Sequence, residues 1–106
     1  MEYDIRKGHY AEIEGDGLKR IMKDIFGRAS QEGEMIVSSY GVLTRNEAKI
    51  VSKSSLLVNT KSDASVPNHV AMETIKRFNL FLERSTGFTS RQRRERLQKK
   101  AKEGRL

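Results

Sequence analysis

Eight basic side chains crowd one end of this chain. Arg91, Arg93, Arg94, Arg96, Lys99, Lys100, Lys102 and Arg105 fall within fifteen residues, with Glu95 and Glu103 the only acids among them. The chemistry that suits them is anion recognition, phosphate above all. Planar guanidinium forks match phosphate oxygens, and each neutralised phosphate of a nucleic acid releases counterions. The same run is also consistent with a solvated, fraying terminus that only aids solubility. Arg91, Arg93 and Arg94 stand near the start of the helix this run predicts, where the helix dipole prefers anions. Arg96 stands at like-charge spacing from Lys99 and Lys100, which costs a few tenths of a kcal/mol per pair. Leu97 and Ala101 are too little apolar surface to bury a helix firmly. An arm of this kind is poorly stable alone and gains order when something negative arrives.

Other chemistry is thin. His9 and His69 are the only histidines and lie far apart, which suits surface or capping roles better than a metal site. Glu12, Glu14 and Asp16 cluster, yet a helix N-terminus attracts acids for electrostatic reasons alone. Gly15-Asp16-Gly17 lacks the rest of either phosphate-loop fingerprint. Ser38, Ser39, Ser54 and Ser55 have no histidine at motif spacing, and the absence of cysteine removes disulfides, thiolate metal sites and cysteine nucleophiles together. No catalytic residue, metal or cofactor is expected, and the chain is not expected to be an enzyme.

Base-reading signatures are also missing: there is no zinc-finger spacing, RNP pattern or GxxG clamp. Phe88, the one aromatic beside the arm, is expected to fold back onto Leu82 in a helix cap rather than to stack on bases. Binding would then be mainly to backbone phosphate, with shape deciding more than sequence. Leu80 projects into a polar helix face and is either an idle surface leucine or a docking point for Leu97 of the arm or for a second subunit. A third candidate is an open sheet face carrying Thr44, Arg45, Asn46, Asn59 and Lys61, a composition equally consistent with a plain solvated sheet.

The elements that must position these groups follow from periodicity. Residues 2–7 alternate as a half-buried strand, with Tyr3 and Ile5 on one side and Asp4 and Arg6 on the other. Residues 11–26 turn helical, with Leu18, Ile21, Met22, Ile25 and Phe26 as the core stripe, Asp16 as the N-cap and Gly27 as the stop. Strands are predicted over residues 34–40, 42–51 and 56–60. The longest helix runs over residues 66–87. At about 100° per residue it lines up Ala71, Ile75, Phe78 and Leu82, with Val70, Thr74 and Phe81 flanking and Glu73, Lys76, Arg77, Glu83 and Arg84 opposite. Pro67 fits its first turn and Gly87 its C-terminal cap. Thr89 to Gln92 has capping-box spacing for a last helix over about residues 90–102. The order is β-α-β-β-β-α followed by a basic helix. It predicts an α+β fold whose antiparallel sheet is covered on one face by two helices.

Charge divides the chain in the same place. Residues 1–87 hold 13 Lys/Arg against 12 Asp/Glu, a balance of +1, whereas residues 88–106 hold 8 against 2, a balance of +6. This predicts a compact domain over 1–87 and a basic helical arm over 88–106. With 106 residues, 36% hydrophobic and 33% charged, one modest core is expected. No window has the apolar length of a membrane span and residues 1–10 have no apolar signal region, so the expected location is the cytoplasm.

The stretches GHY (8–10), SYG (39–41), VNTKSD (58–63) and TIKRFNLFLE…TGFTSRQRRERLQK resemble a small archaeal protein family of unknown function. That resemblance covers nearly the whole chain and implies a cytoplasmic archaeal protein, without supplying an activity or site residues. The element order also resembles half of the TATA-binding-protein saddle, a topological analogy that says little about function.

The expected function is non-enzymatic binding of RNA or DNA phosphates through Arg91, Arg93, Arg94, Arg96, Lys99 and Lys100. The alternative is a protein-interaction or homo-oligomerisation module, in which the arm, Leu80 and Leu97 meet an acidic partner or a second copy. Membrane attachment is disfavoured, because the arm has no apolar face to insert.

Overall fold

The computed structural model describes residues 1–63 and 65–104. Arg105, at the end of the basic run, and one position of the 61–65 loop lie outside the described residues. Five strands and four helices follow in the order β1 (Glu2–Asp4), α1 (Tyr10–Ile13), α2 (Gly17–Phe26), β2 (Ser30–Glu32), β3 (Met35–Tyr40), β4 (Leu43–Ser52), β5 (Ser55–Ser62), α3 (Asn68–Thr86) and α4 (Ser90–Lys102). The strands form one antiparallel sheet ordered β1-β5-β4-β3-β2. The expected α+β architecture holds, with one more strand than predicted.

Alternation along the strands sets the core face. Tyr3 pairs with Leu56, Ala48 with Val58 and Ile36 with Ala48, so these residues look toward the helices. Leu18, Ile21, Met22, Ile25 and Phe26 of α2 are all buried against them, as their spacing predicts. Phe81 is fully buried, its ring 5.5 Å from that of Phe26. Burying such a side chain is worth about 1.5–3 kcal/mol.

Five expectations need correction. The predicted helix over 11–26 is two helices, because Gly15 adopts a positive φ of 60° and turns the chain between them. Asp16 occupies the N-cap position of α2, but its carboxylate makes no capping hydrogen bond. The buried face of α3 is rotated away from Ile75, which is 58% exposed, toward Thr74, Phe81, Leu82 and Ser85. Arg77, expected in water, reaches the carbonyl of Ile25 at the end of α2, 3.2 Å away. Asn46, assigned to the open sheet face, points into the core at 0% exposure.

Thr74 explains the rotation. Its hydroxyl donates to the carbonyl of Val70 (2.7 Å) and accepts the amide of Val42 (3.1 Å), tying α3 to the β3–β4 turn. Gly41 in that turn has φ 52°, and a Cβ there would collide with Thr74 Oγ1.

Candidate functional site

The basic helix begins where α3 is tied down. Ser85 and Thr86 are buried and donate their hydroxyls to the carbonyls of Phe81 and Leu82, each at 2.6 Å. Arg6 N–H donates to the carbonyl of Thr86 (2.7 Å), and His9 Nε2 lies 2.6 Å from the carbonyl of Arg84. His9 therefore caps the end of α3, one of the two roles expected for it. Gly87 then turns left-handed at φ 80°, the conformation its place after α3 predicts. Thr89 and Gln92 form the predicted capping box: Thr89 Oγ1 accepts the Gln92 amide at 3.2 Å and Gln92 Oε1 accepts the Thr89 amide at 2.9 Å.

From this start α4 runs beside β1. No residue of α4 is buried, so polar contacts seat it. Asp4 of β1 accepts Lys100 Nζ on Oδ1 at 2.6 Å and Arg96 Nε on Oδ2 at 3.0 Å. Burial pushes the Asp4 carboxyl up, but hydrogen bonds and charge from Lys100 and Arg96 outweigh it and hold the group below its ordinary value. Arg93 turns inward and donates to the carbonyl of Phe88 (2.5 Å) and to Ser90 Oγ (3.1 Å). Burial pulls the Arg93 guanidinium below its usual value, against the opposing charges of Tyr3 and Glu83. Burial likewise raises the Tyr3 phenol, and Arg93 opposes it.

The six predicted phosphate ligands thus divide. Arg93 is internal, Arg96 and Lys100 share Asp4, and Arg91 pairs with Glu95 one turn along at 3.2 Å. Arg94, Lys99 and also Lys102 are exposed, with no side-chain hydrogen bond or ion pair among the described residues. Leu97, 39% exposed, lines a slot of about 190 Å³ between α4 and β1 whose walls include Tyr3, Phe88 and Arg94. Leu80, 41% exposed, lies instead in a shallow cleft with Thr89, Ser90 and Arg91, so the two leucines occupy different clefts.

Sequence reasoning missed Asp4 as the anchor, since nothing local marks a carboxylate 92 residues from its arginine. On the sheet's other face Arg45 lies between Glu32 (3.2 Å) and Glu47 (3.0 Å), and Lys49 pairs with Glu34 (3.2 Å), which leaves that surface internally balanced. Among the described residues no group of three His, Asp or Glu side chains is placed to hold a metal ion. No helix of the described residues is long and apolar enough to cross a membrane.

In its fold the chain is similar to a hypothetical protein of Thermoplasma acidophilum solved in solution by NMR. The TM-score is 0.60 and the identity 25%, over 91% of this chain and 95% of the other. No curated protein matches it. That likeness agrees with the archaeal resemblance of the sequence words. A family model described as a domain of unknown function, DUF5611, matches residues 1–99, from β1 well into α4, and the chain belongs to that family.

Proposed function

We propose that the protein is a non-enzymatic nucleic-acid-binding protein that meets backbone phosphate through α4. The observation that supports this is an excess of charge that the chain does not itself neutralise. One carboxylate, Asp4, serves two cations, and Arg94, Lys99 and Lys102 have no acidic partner among the described residues. Intramolecular pairing removes Arg93 from the binding set and makes it a seat for the helix. Arg94 and Lys99 carry the direct contacts, while Arg96 and Lys100 add the half of their charge that Asp4 leaves over. A cytoplasmic setting fits such a role. The likeness to half of the TATA-binding-protein saddle stays a topological analogy and supports no part of it.

The test is a fluorescence-anisotropy titration of mixed RNA and DNA across salt concentration. With about five phosphates neutralised, log K should fall against log salt with a slope of about −4.5 on duplex DNA. Arg94→Ala with Lys99→Ala removes two contacts and should flatten that slope by about 1.8. A flat salt response in the parent protein refutes the reading.

A second reading, as an interaction or homo-oligomerisation module, is favoured by the outward-facing Met72, Ile75 and Leu80 of α3. Sedimentation equilibrium decides it: a dimer dispersed by Ile75→Glu and Leu80→Glu supports the module, and a monomer at all concentrations removes it.

A further inference from the structure

Adjoining the slot at Phe88 and Arg96, which line both, lies an open cleft of about 710 Å³. Three segments distant in sequence build it. Arg6 and Lys7 come from the link after β1 with Tyr10 at the start of α1, Lys53 from the β4–β5 turn, and Phe88 from the α3–α4 junction with Arg96 of α4 beyond it. Its lining holds four cations and no carboxylate. Arg6, Lys7 and Lys53 are exposed and make no side-chain hydrogen bond or ion pair among the described residues. Arg96 meets Asp4 through Nε, and its terminal nitrogens make no hydrogen bond among the described residues.

The two rings distinguish this cleft from a merely basic surface. Phe88 was expected to be absorbed in the α3 cap, but only its backbone serves there: the amide donates to Thr86 Oγ1 at 3.2 Å. The ring is half-buried at the cleft wall, with the Arg96 guanidinium carbon 4.6 Å from its centre. Tyr10 is likewise half-buried, and Lys53 Nζ lies 6.0 Å from its ring centre. Inorganic phosphate or an acidic peptide would engage the cations and leave both rings idle. A duplex hides the faces of its bases, so it too would use only the charges. An unpaired strand offers both parts at once, bases for the rings and phosphates for the ammonium and guanidinium groups.

We propose that this cleft binds an unpaired stretch of RNA or DNA, with bases stacked on Phe88 and Tyr10 and flanking phosphates on Arg6, Lys7 and Lys53. The proposal rests on the phosphate-binding reading above and narrows it to single strands. The titration therefore compares short oligo-U, oligo-dT and a duplex of equal length at low salt. The single strands should bind more tightly than the duplex, and the better of the two names the preferred sugar. Tyr10→Leu and Phe88→Leu keep apolar bulk but remove the ring. Each should weaken single-strand binding by about tenfold and leave duplex binding within about twofold, since duplex contacts are to phosphate.

Tyr10 also packs on the core, so a measurement on the unaltered protein accompanies the variants. Irradiation with 5-iodouracil oligonucleotides should crosslink Tyr10 or Phe88, located by mass spectrometry of the peptides. Equal affinity for single strands and duplex, or crosslinks confined to residues outside the cleft, overturns the stacking site and leaves phosphate binding standing. Binding to neither form at low salt overturns both.

Discussion

Asp4→Asn isolates the contact on which α4 depends. The substitution keeps the side chain's size and removes the charge that draws Lys100 and Arg96. An exposed ion pair contributes about 0.2–1 kcal/mol. The Lys100 pair, with side chains 30% and 27% exposed, belongs near the top of that range. The Arg96 pair, with its arginine 49% exposed, belongs lower. Together they give about 1–1.5 kcal/mol, or roughly a tenfold rise in the open population of the helix. Because α4 buries no residue, the effect should be local. Hydrogen exchange should quicken about tenfold over residues 93–102 and remain unchanged in β4 and β5. The pH dependence has a definite sign. Asp4 is held below its ordinary value, so its contribution is complete above about pH 4 and is lost as pH falls through the lowered folded value. After correction for intrinsic rates, exchange from α4 should be flat from about pH 7 to 4 and rise only below that, with no such rise in the variant. Unaltered exchange in Asp4→Asn, or a midpoint near neutrality in the parent protein, would show that something other than this carboxylate seats the helix.

Two substitutions test the scaffold. Gly41→Ala forces a side chain onto positive φ and into Thr74 Oγ1, so it should cost roughly 2–5 kcal/mol from strain and overpacking together, read as a lowered urea midpoint. Asn46→Leu removes a fully buried amide that has no hydrogen-bond partner among the described residues; stability should rise by about 1–3 kcal/mol, and a lowered midpoint would show that the amide is satisfied after all.

How much was legible in the sequence depended on whether the cause was local. The α2 stripe, the stops at Gly27 and Gly87 and the capping box at Thr89 were all readable, because periodicity and caps act within a few residues. β2 was not: Ser30, Gln31 and Glu32 are all exposed, and backbone pairing to β3 holds them without an apolar signal. The face of α3 was misjudged because a hydrogen bond, from Val42 to Thr74, overrides the hydrophobic count that favours Ile75. The basic character of α4 was plain, but the division of its cations was not. Pairing with Asp4 depends on β1 lying at the sheet edge, which depends in turn on its pairing with β5. The cleft around Tyr10 and Phe88 was hidden for the same reason, since its walls meet only after three remote segments fold together.

The two rims of the sheet are unlike, and this gives self-association a direction. The β2 rim carries three hydrophilic residues in water and offers a foreign strand little to cover. The β1 rim is three residues long and has α4 for its neighbour. If acid or a competing polyanion lifts that helix, only β1 becomes receptive. Two molecules joined β1 to β1 would each present the unreceptive rim outward, so such an encounter should stop at a pair instead of growing into a fibril.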